Sequence, residues 1–415
     1  MIDRRRLLIS VPVLGIGAAA IPLASCTSGA TSDGVVSVYS WRQEDSAGYA
    51  ELFEAFSEAN DGIEVTFEPY NSTDYDQILQ TAVTSGEPLD VIQLRPYAAG
   101  RQLMDDGTLD ILTDLPGIEN FDSTMLSAAT GSDGEIYGVP LARNALITMY
   151  NQELLDEHGI DRPTTWPEFL DACEALLDAE ITPIAQSGKD AYILGILYHA
   201  LSGAALTDDF IDAALEGTAD FTGDEFRASV QRVFDVVPYA PKDFVGMADD
   251  EARNMFAQGD AAFYINGDYR VEPLLDANPD LTLDYLPSLP DSGDEYRLVN
   301  SLDGSYGVAA ESPDLEDSKA LLEYMTTQEF GTAFASIFSR ISAVDGVEPE
   351  EELHRNLVED IESHGITTVL QEIGGGEPDV KDEFENAVQG ALTGQIDQDE
   401  IFTIVQEAYE QGFES

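Results

Sequence analysis

The chain has 415 residues, room for two or three ordinary domains, and 43% of them are hydrophobic, enough to build a sizeable core. It carries 80 Asp and Glu against 19 Lys and Arg, a formal net charge of −61. Such a field repels phosphate backbones and excludes nucleic acid as a partner. Two cysteines, Cys26 and Cys173, cannot make a disulfide scaffold.

Residues 1–25 read as an export signal. Arg4, Arg5 and Arg6 give a positive start, and Leu7 to Leu23 is a short apolar stretch broken by Pro12, Gly15, Gly17 and Pro22. The stretch is short and weakly helical for a permanent span, which needs ~20 apolar residues. Leu23-Ala24-Ser25-Cys26 resembles a lipobox, in which Cys26 begins the mature chain and carries the lipid; an ordinary signal with a chance cysteine is the alternative. Arg4-Arg5-Arg6-Leu7-Leu8 also resembles a twin-arginine leader, so the Sec and twin-arginine routes both stay open. Residues 26–34 are small and polar, as a flexible tether should be. With Cys26 lipidated, Cys173 has no partner and is expected as a buried, inert thiol. No other segment is long and apolar enough to cross a bilayer, so a monomeric body on a lipid anchor outside the cytoplasm is expected.

Val35 to Trp41 is rich in β-branched and aromatic residues and predicts a strand. Ser46 to Asn60 places Tyr49, Leu52, Phe53 and Phe56 at helical spacing. Ile63, Val65 and Phe67 alternate as a second strand; Thr73 to Ser85 is helical, and Leu89 to Leu94 is a third strand. This order implies a parallel sheet with right-handed crossovers, whose ligands sit beyond the carboxyl ends of the strands. Those ends are Trp41-Arg42-Gln43-Glu44 and Gln93-Leu94-Arg95-Pro96.

From about residue 145 helices dominate: Pro167 to Leu177, Ala191 to Leu201, Asp224 to Val236 and Asp249 to Gln258. Ala261 to Ile265 and Leu281 to Tyr285 return to strand character. Helices follow at Leu315 to Met325, Gln328 to Phe338, Glu350 to Glu362, Val380 to Leu392 and Gln398 to Gln411, with a glycine break at Gly374 to Pro378. The pattern predicts an α/β protein of two lobes, each discontinuous: 35–143 with 270–310, and a more helical 144–269 with 311–415. Several crossings between lobes make a hinge.

Four stretches carry a resemblance: Asn71 to Ile92 (NSTDYDQILQTAVTSGEPLDVI), Gly134 to Asn151 (GEIYGVPLARNALITMYN), Gly159 to Phe169 (GIDRPTTWPEF) and Met255 to Tyr269 (MFAQGDAAFYINGDY). Asp303 to Ala310 (DGSYGVAA), followed by a helix with Tyr324-Met325-Thr326, is a fifth. In order and spacing they resemble the carbohydrate-binding extracellular solute-binding proteins of ABC importers, the group of maltose-binding protein. One departure is Tyr269, where the family usually has Trp. The resemblance implies a periplasmic-binding-protein-like fold with a ligand cleft, capture of a mono- or oligosaccharide, delivery to transmembrane permease subunits, and no cofactor.

Sugars are held by planar amide, carboxylate and guanidinium groups that meet hydroxyls in pairs, and by aromatic faces on the C–H side of the ring. Candidates at the first lobe's strand ends are Trp41, Gln43, Glu44, Gln93 and Arg95, although Trp41 also suits a core and Arg95 a surface ion pair. Asn144 follows the first crossing; Asp268 and Tyr269 follow the second. Asp303, Gly304, Ser305 and Tyr306 form a loop that binds hydroxyls or simply turns the chain; Arg340 follows a helix, and Tyr192 is an aromatic of the second lobe. Trp166 opens a helix and is assigned to packing.

Enzyme readings lack their motifs. The histidines 158, 199, 354 and 364 are scattered, with no His-Glu-x-x-His, Gly-x-Ser-x-Gly or P-loop pattern. A secreted glycosidase, needing only two carboxylates, is the alternative. Asp249-Asp250-Glu251 reads as a solvated helix start rather than a metal site. The net charge, a sequence pI near 4.1 and only four Lys suggest a halophile-like surface.

Overall fold

The computed structural model describes residues 34–414, apart from Asp61 and residues 375–377. The export signal, Cys26, the tether before Gly34 and the centre of the glycine break lie outside the described residues. Among the described residues the strands are β1 (Val35–Ser40), β2 (Glu64–Pro69), β3 (Val91–Leu94), β4 (Val139–Pro140), β5 (Ala142–Asn151) and β6 (Thr182–Ala185). They continue with β7 (Ala261–Gly267), β8 (Leu283–Leu286), β9 (Leu298–Leu302), β10 (Ser305–Val308), β11 (Ile341–Ser342) and β12 (Gly365–Thr367).

The strands form two mixed sheets, and these build the two lobes. The first has the order β2-β1-β3-β10-β4. β1 pairs parallel with β2 and β3, as the β-α-β-α-β pattern predicts, and β10 inserts antiparallel between β3 and β4. β2 is an edge strand, and its inner residues Val65 and Phe67 alternate with exposed Glu64 and Thr66. The helix Ser46–Ala59 covers one face, burying Tyr49, Leu52, Phe53 and Phe56.

The second sheet is built on β5, ten residues long and buried along nearly its whole length. One edge of β5 receives β9 and then β8; the other receives β7 and, at its start, β11. β6 and β12 complete the sheet as parallel neighbours of β7 and β9. Helices cover both faces, the last two contributing Phe384, Val388, Ile401, Phe402, Val405 and Tyr409 to the largest hydrophobic cluster. Cys173 is a buried free thiol within that cluster, and burial pushes its pKa up.

Sheet membership does not follow the predicted segments. Residues 270–310 do not travel together: β8 and β9 pair with β5 of the second sheet, and only β10 joins the first. Nor does 311–415 fall in one lobe. The helices Leu315–Met325 and Gln328–Phe338 send Leu321, Leu322, Phe330, Phe334 and Phe338 into the core of the first. Strand pairing and long-range apolar contact decide membership, and neither is written in local periodicity.

Three crossings join the lobes. The chain passes at Leu141, between β4 and β5, and at Asp303-Gly304, between β9 and β10. The third runs from Phe338 to the helix Glu352–His364, touching β5 through β11 on the way. Backbone hydrogen bonds lace them together: Leu141 N–H donates to Gly304 O (3.2 Å), Asp303 N–H to Ala142 O (2.8 Å) and Ala343 N–H to Leu141 O (3.2 Å).

Candidate functional site

Beside these crossings sits a compact ion cluster. Asp303, at the second crossing, contacts Arg42 of the first lobe and Arg340 of the third crossing, the latter at 3.2 Å. Asp45 lies 3.1 Å from Arg340 and 3.8 Å from Arg42. Ser339, left-handed at φ 47°, ends the preceding helix and turns the chain so that Arg340 reaches this cluster. Both arginines are buried. Burial and the neighbouring Arg340 push the Arg42 guanidinium down, and Asp45 and Glu44 oppose them. Arg340 is thus committed to two carboxylates, and Arg42 and Asp45 join it from positions that motif reasoning passed over.

Trp41 directly follows β1, and the structure puts it in the core. It is 6% exposed, meets Tyr75 edge-on at 5.4 Å, and has the Arg95 guanidinium over its ring at 4.3 Å. Gly304 has φ +86°, and a β-carbon there would stand 2.6 Å from the indole, so the second crossing needs glycine. Arg95 makes the surface ion pair, with Asp76 at 3.1 Å, and bonds Ser72 O at 2.7 Å.

Gln93, Ser305 and Tyr306 are fully buried behind the strand ends rather than presented at them. Gln93 Oε1 accepts from Ser40 Oγ (2.6 Å) and Trp41 N–H (3.3 Å), fixing the end of β1. Tyr306 stands opposite Gln93 across the β3–β10 pair and meets Tyr49 edge-on. Asn144 is buried within β5 opposite Ser301. Gln43 and Glu44 are exposed beyond β1.

Asp268, expected at the ligand, is 1% exposed. Its Oδ1 accepts from Ala145 N–H (2.8 Å), stapling the end of β7 to β5, and its Oδ2 faces His354 Nε2 at 3.6 Å. Burial pushes the Asp268 carboxyl up to about 7, against the Ala145 bond and Arg340, and burial pushes His354 down to about 4.

Tyr269, next in the chain, is half-buried; its hydroxyl donates to Asn266 Oδ1 at 2.9 Å. Arg270 stands over the Tyr269 ring at 5.3 Å and pairs with Asp249 at 2.6 Å. Asp249 is not the solvated helix start that its acidic run suggests. It is buried, and its Oδ1 accepts from Tyr264 hydroxyl (2.7 Å), Asn266 Nδ2 (3.0 Å) and Ser187 Oγ (3.2 Å).

Tyr192, in the first turn of the helix Ala191–Ser202, stays 41% exposed. Burial pushes its phenol up to about 12, with Asp249, Asp190 and the first lobe's Glu44 adding to the rise and Arg270 opposing it. Burial likewise raises Tyr269, and the charge of Arg42, across the lobes, acts against the rise. Glu44 of the first lobe thus lies close enough for its charge to act on Tyr192, and Arg42 for its charge to act on Tyr269. Chemically these residues offer aromatic area, at Tyr192 and Tyr269, and fixed charge pairs, Arg270 with Asp249 and Arg42 with Asp303. Among the described residues no group of three or more His, Cys, Asp or Glu is arranged to hold a metal ion, and no helix is long and apolar enough to cross a membrane.

The family model of the bacterial extracellular solute-binding protein matches residues 51–358. The multiple sugar-binding protein of Streptococcus mutans is 22% identical over 82% of this chain and 84% of its own. The melibiose/raffinose/stachyose-binding protein MelE of Bacillus subtilis is 19% identical over 78% of each. Among solved structures, a chitin oligosaccharide binding protein superposes with a TM-score of 0.79 at 22% identity, covering 92% of this chain and 99% of that one. RafE in complex with raffinose superposes with a TM-score of 0.77 at 18% identity, covering 91% and 99%.

Proposed function

Because the chain belongs to the bacterial extracellular solute-binding protein family, we propose that it is the capturing component of an ABC sugar importer. It closes on a carbohydrate between its lobes and hands it to membrane permease subunits. The observation that carries this reading is the family match over residues 51–358, with two sheets joined by three chain crossings; Tyr192, exposed, and Tyr269, half-buried, supply aromatic rings on the second sheet's side. Tyrosine rings cover the apolar face of a pyranose, and charged planar groups take its hydroxyls in pairs. The relatives named for sugar binding, and the raffinose bound in RafE, support the ligand class.

Cys26 carries the lipid that holds the body outside the cytoplasm, and homologous solute-binding lipoproteins support that placement. The body acts as a monomer. The hydrolase alternative is disfavoured, because the family is one of binding proteins.

Calorimetry against raffinose, stachyose, galactose and chitin oligosaccharides, with scattering before and after saturation, tests the reading. Saturable binding with a smaller radius of gyration is expected. No binding across a wide carbohydrate panel, or steady release of reducing ends, would overturn it.

A further inference from the structure

We propose that Asp249 is the residue that positions the second lobe's aromatic wall, although it need not touch sugar itself. The inference rests on the cleft reading above and names which buried group makes that wall rigid. Two routes run from one carboxylate to Tyr269. Oδ1 holds Asn266 Nδ2 at 3.0 Å, and Asn266 Oδ1 receives the Tyr269 hydroxyl at 2.9 Å. Oδ2 holds Arg270 at 2.6 Å, and Arg270 stands over the Tyr269 ring. Gly267 supplies the third constraint: a β-carbon there would fall 2.1 Å from the ring, so the tyrosine folds directly onto the backbone. No direct hydrogen bond joins Asp249 to Tyr269, so any effect of Asp249 on that ring passes through the two intermediaries.

The assignment of the carboxylate follows from its partners. Ser187, Tyr264 and Asn266 all donate to Oδ1, which leaves Oδ2 for the cation. Ser187 follows β6, Tyr264 and Asn266 lie in β7, and Asp249 opens the helix Asp249–Ala257. Partners from the end of β6, from β7 and from Arg270 thus converge on one buried carboxyl group, and their common output is the pose of Tyr269 and Arg270. A wall fixed this way binds with less ordering cost than one that must be assembled around the ligand.

Asp249→Asn is the sharp perturbation, because it keeps shape and the Oδ1 acceptor and turns an N–H donor toward the Arg270 guanidinium. The first readout needs no ligand. In protein labelled with 3-fluorotyrosine, Tyr269→Phe assigns the Tyr269 fluorine line. Asp249→Asn should broaden that line through exchange; an unchanged line width overturns the proposal. The second is a double-mutant cycle with Tyr269→Ala, read by calorimetry with raffinose, stachyose or galactose. Asp249→Asn should weaken binding about tenfold in the parent and about twofold or less once Tyr269 is Ala. Equal losses in both backgrounds mark a generally structural role and overturn the proposal. If Asp249→Asn does not fold, Arg270→Gln cuts one route at its more exposed end and is expected to broaden the same line. Failure of the parent to bind any sugar refutes the carbohydrate reading alone, and the fluorine line still decides the positioning claim.

Discussion

Replacing Asp303 by Ala tests the ion cluster at the crossings. Asp303 neutralises two buried arginines at once, with side-chain exposures of 6% for Arg42 and 7% for Arg340. Removing one partner of a buried pair costs about 3–5 kcal/mol, because a charge is left without compensation. Asp45 remains 3.1 Å from Arg340 and 3.8 Å from Arg42, which places the expected loss near the lower end, about 3 kcal/mol. For a body of this size that corresponds to a fall in melting temperature of about 5 °C. Asp303→Asn keeps an acceptor oxygen and should lose about half as much. The melts are best run at 0.1 and 2 M KCl. Salt shortens the Debye length to about 3 Å at 1 M but reaches buried pairs poorly, so the difference between parent and variant should persist. Asp399→Ala is the control: its pair with Arg227 is exposed, and its effect should stay within about 1 °C. An Asp303→Ala shift no larger than the control, or one that vanishes at high salt, would refute the assignment of a buried hinge cluster.

Glu385 is buried beside Lys381, and burial pushes its carboxyl up to about 7 from an ordinary 4.5, so its contribution to stability is present below pH 4.5 and is lost as pH rises toward 7. Glu385→Gln should flatten that part of the stability profile in denaturant titrations; an unchanged profile rejects the assignment. Trp41→Ala should cost about 3–5 kcal/mol of stability as a core truncation, whereas Tyr192→Ala should keep the melting temperature and weaken sugar binding by about 1 kcal/mol. The reverse pattern would return Trp41 to the ligand. With a net charge of −61, the melting temperature should climb steeply between 0.1 and 2 M KCl as self-repulsion is screened, and a flat curve would dismiss a halophilic surface. Cys26→Ala should release the protein from the membrane fraction or block its processing; a mature, membrane-bound variant would contradict lipid anchoring there.

Much of the fold is legible because its helices are amphipathic and punctuated. Gln328–Phe338 has the predicted limits, capped where Thr327 accepts from Phe330 N–H, and Leu315–Met325 and Val380–Leu392 also end where the apolar phase does. β5 escapes the same reasoning. Its run is buried on both faces and so does not alternate, and no strand is predicted there. Site residues divide along a similar line. Tyr192 stays exposed in the first turn of its helix and Tyr269 is half-buried just after β7, so both remain near the surface at local element ends. Trp41 is core because Arg95 and Tyr75, distant in sequence, close over it. Asp249 looks like any acid at a helix start; only the convergence of Ser187, Tyr264, Asn266 and Arg270 distinguishes it from Asp250. Arg42 offered a weak signal, a scarce cation next to Trp41 at a strand end.

The insertion of β10 between β3 and β4 dictates when this protein is able to fold. A chain growing from its amino end makes β1 to β4 early, yet β3 and β4 touch only through a strand that is not synthesised until Ser305–Val308. Until then β4 is cut off from the other three strands of the first sheet, and the helices that finish its core, Leu315–Met325 and Gln328–Phe338, come later still. No nascent fragment ending before that point can close the first lobe. The chain therefore carries an incomplete first lobe through most of its synthesis.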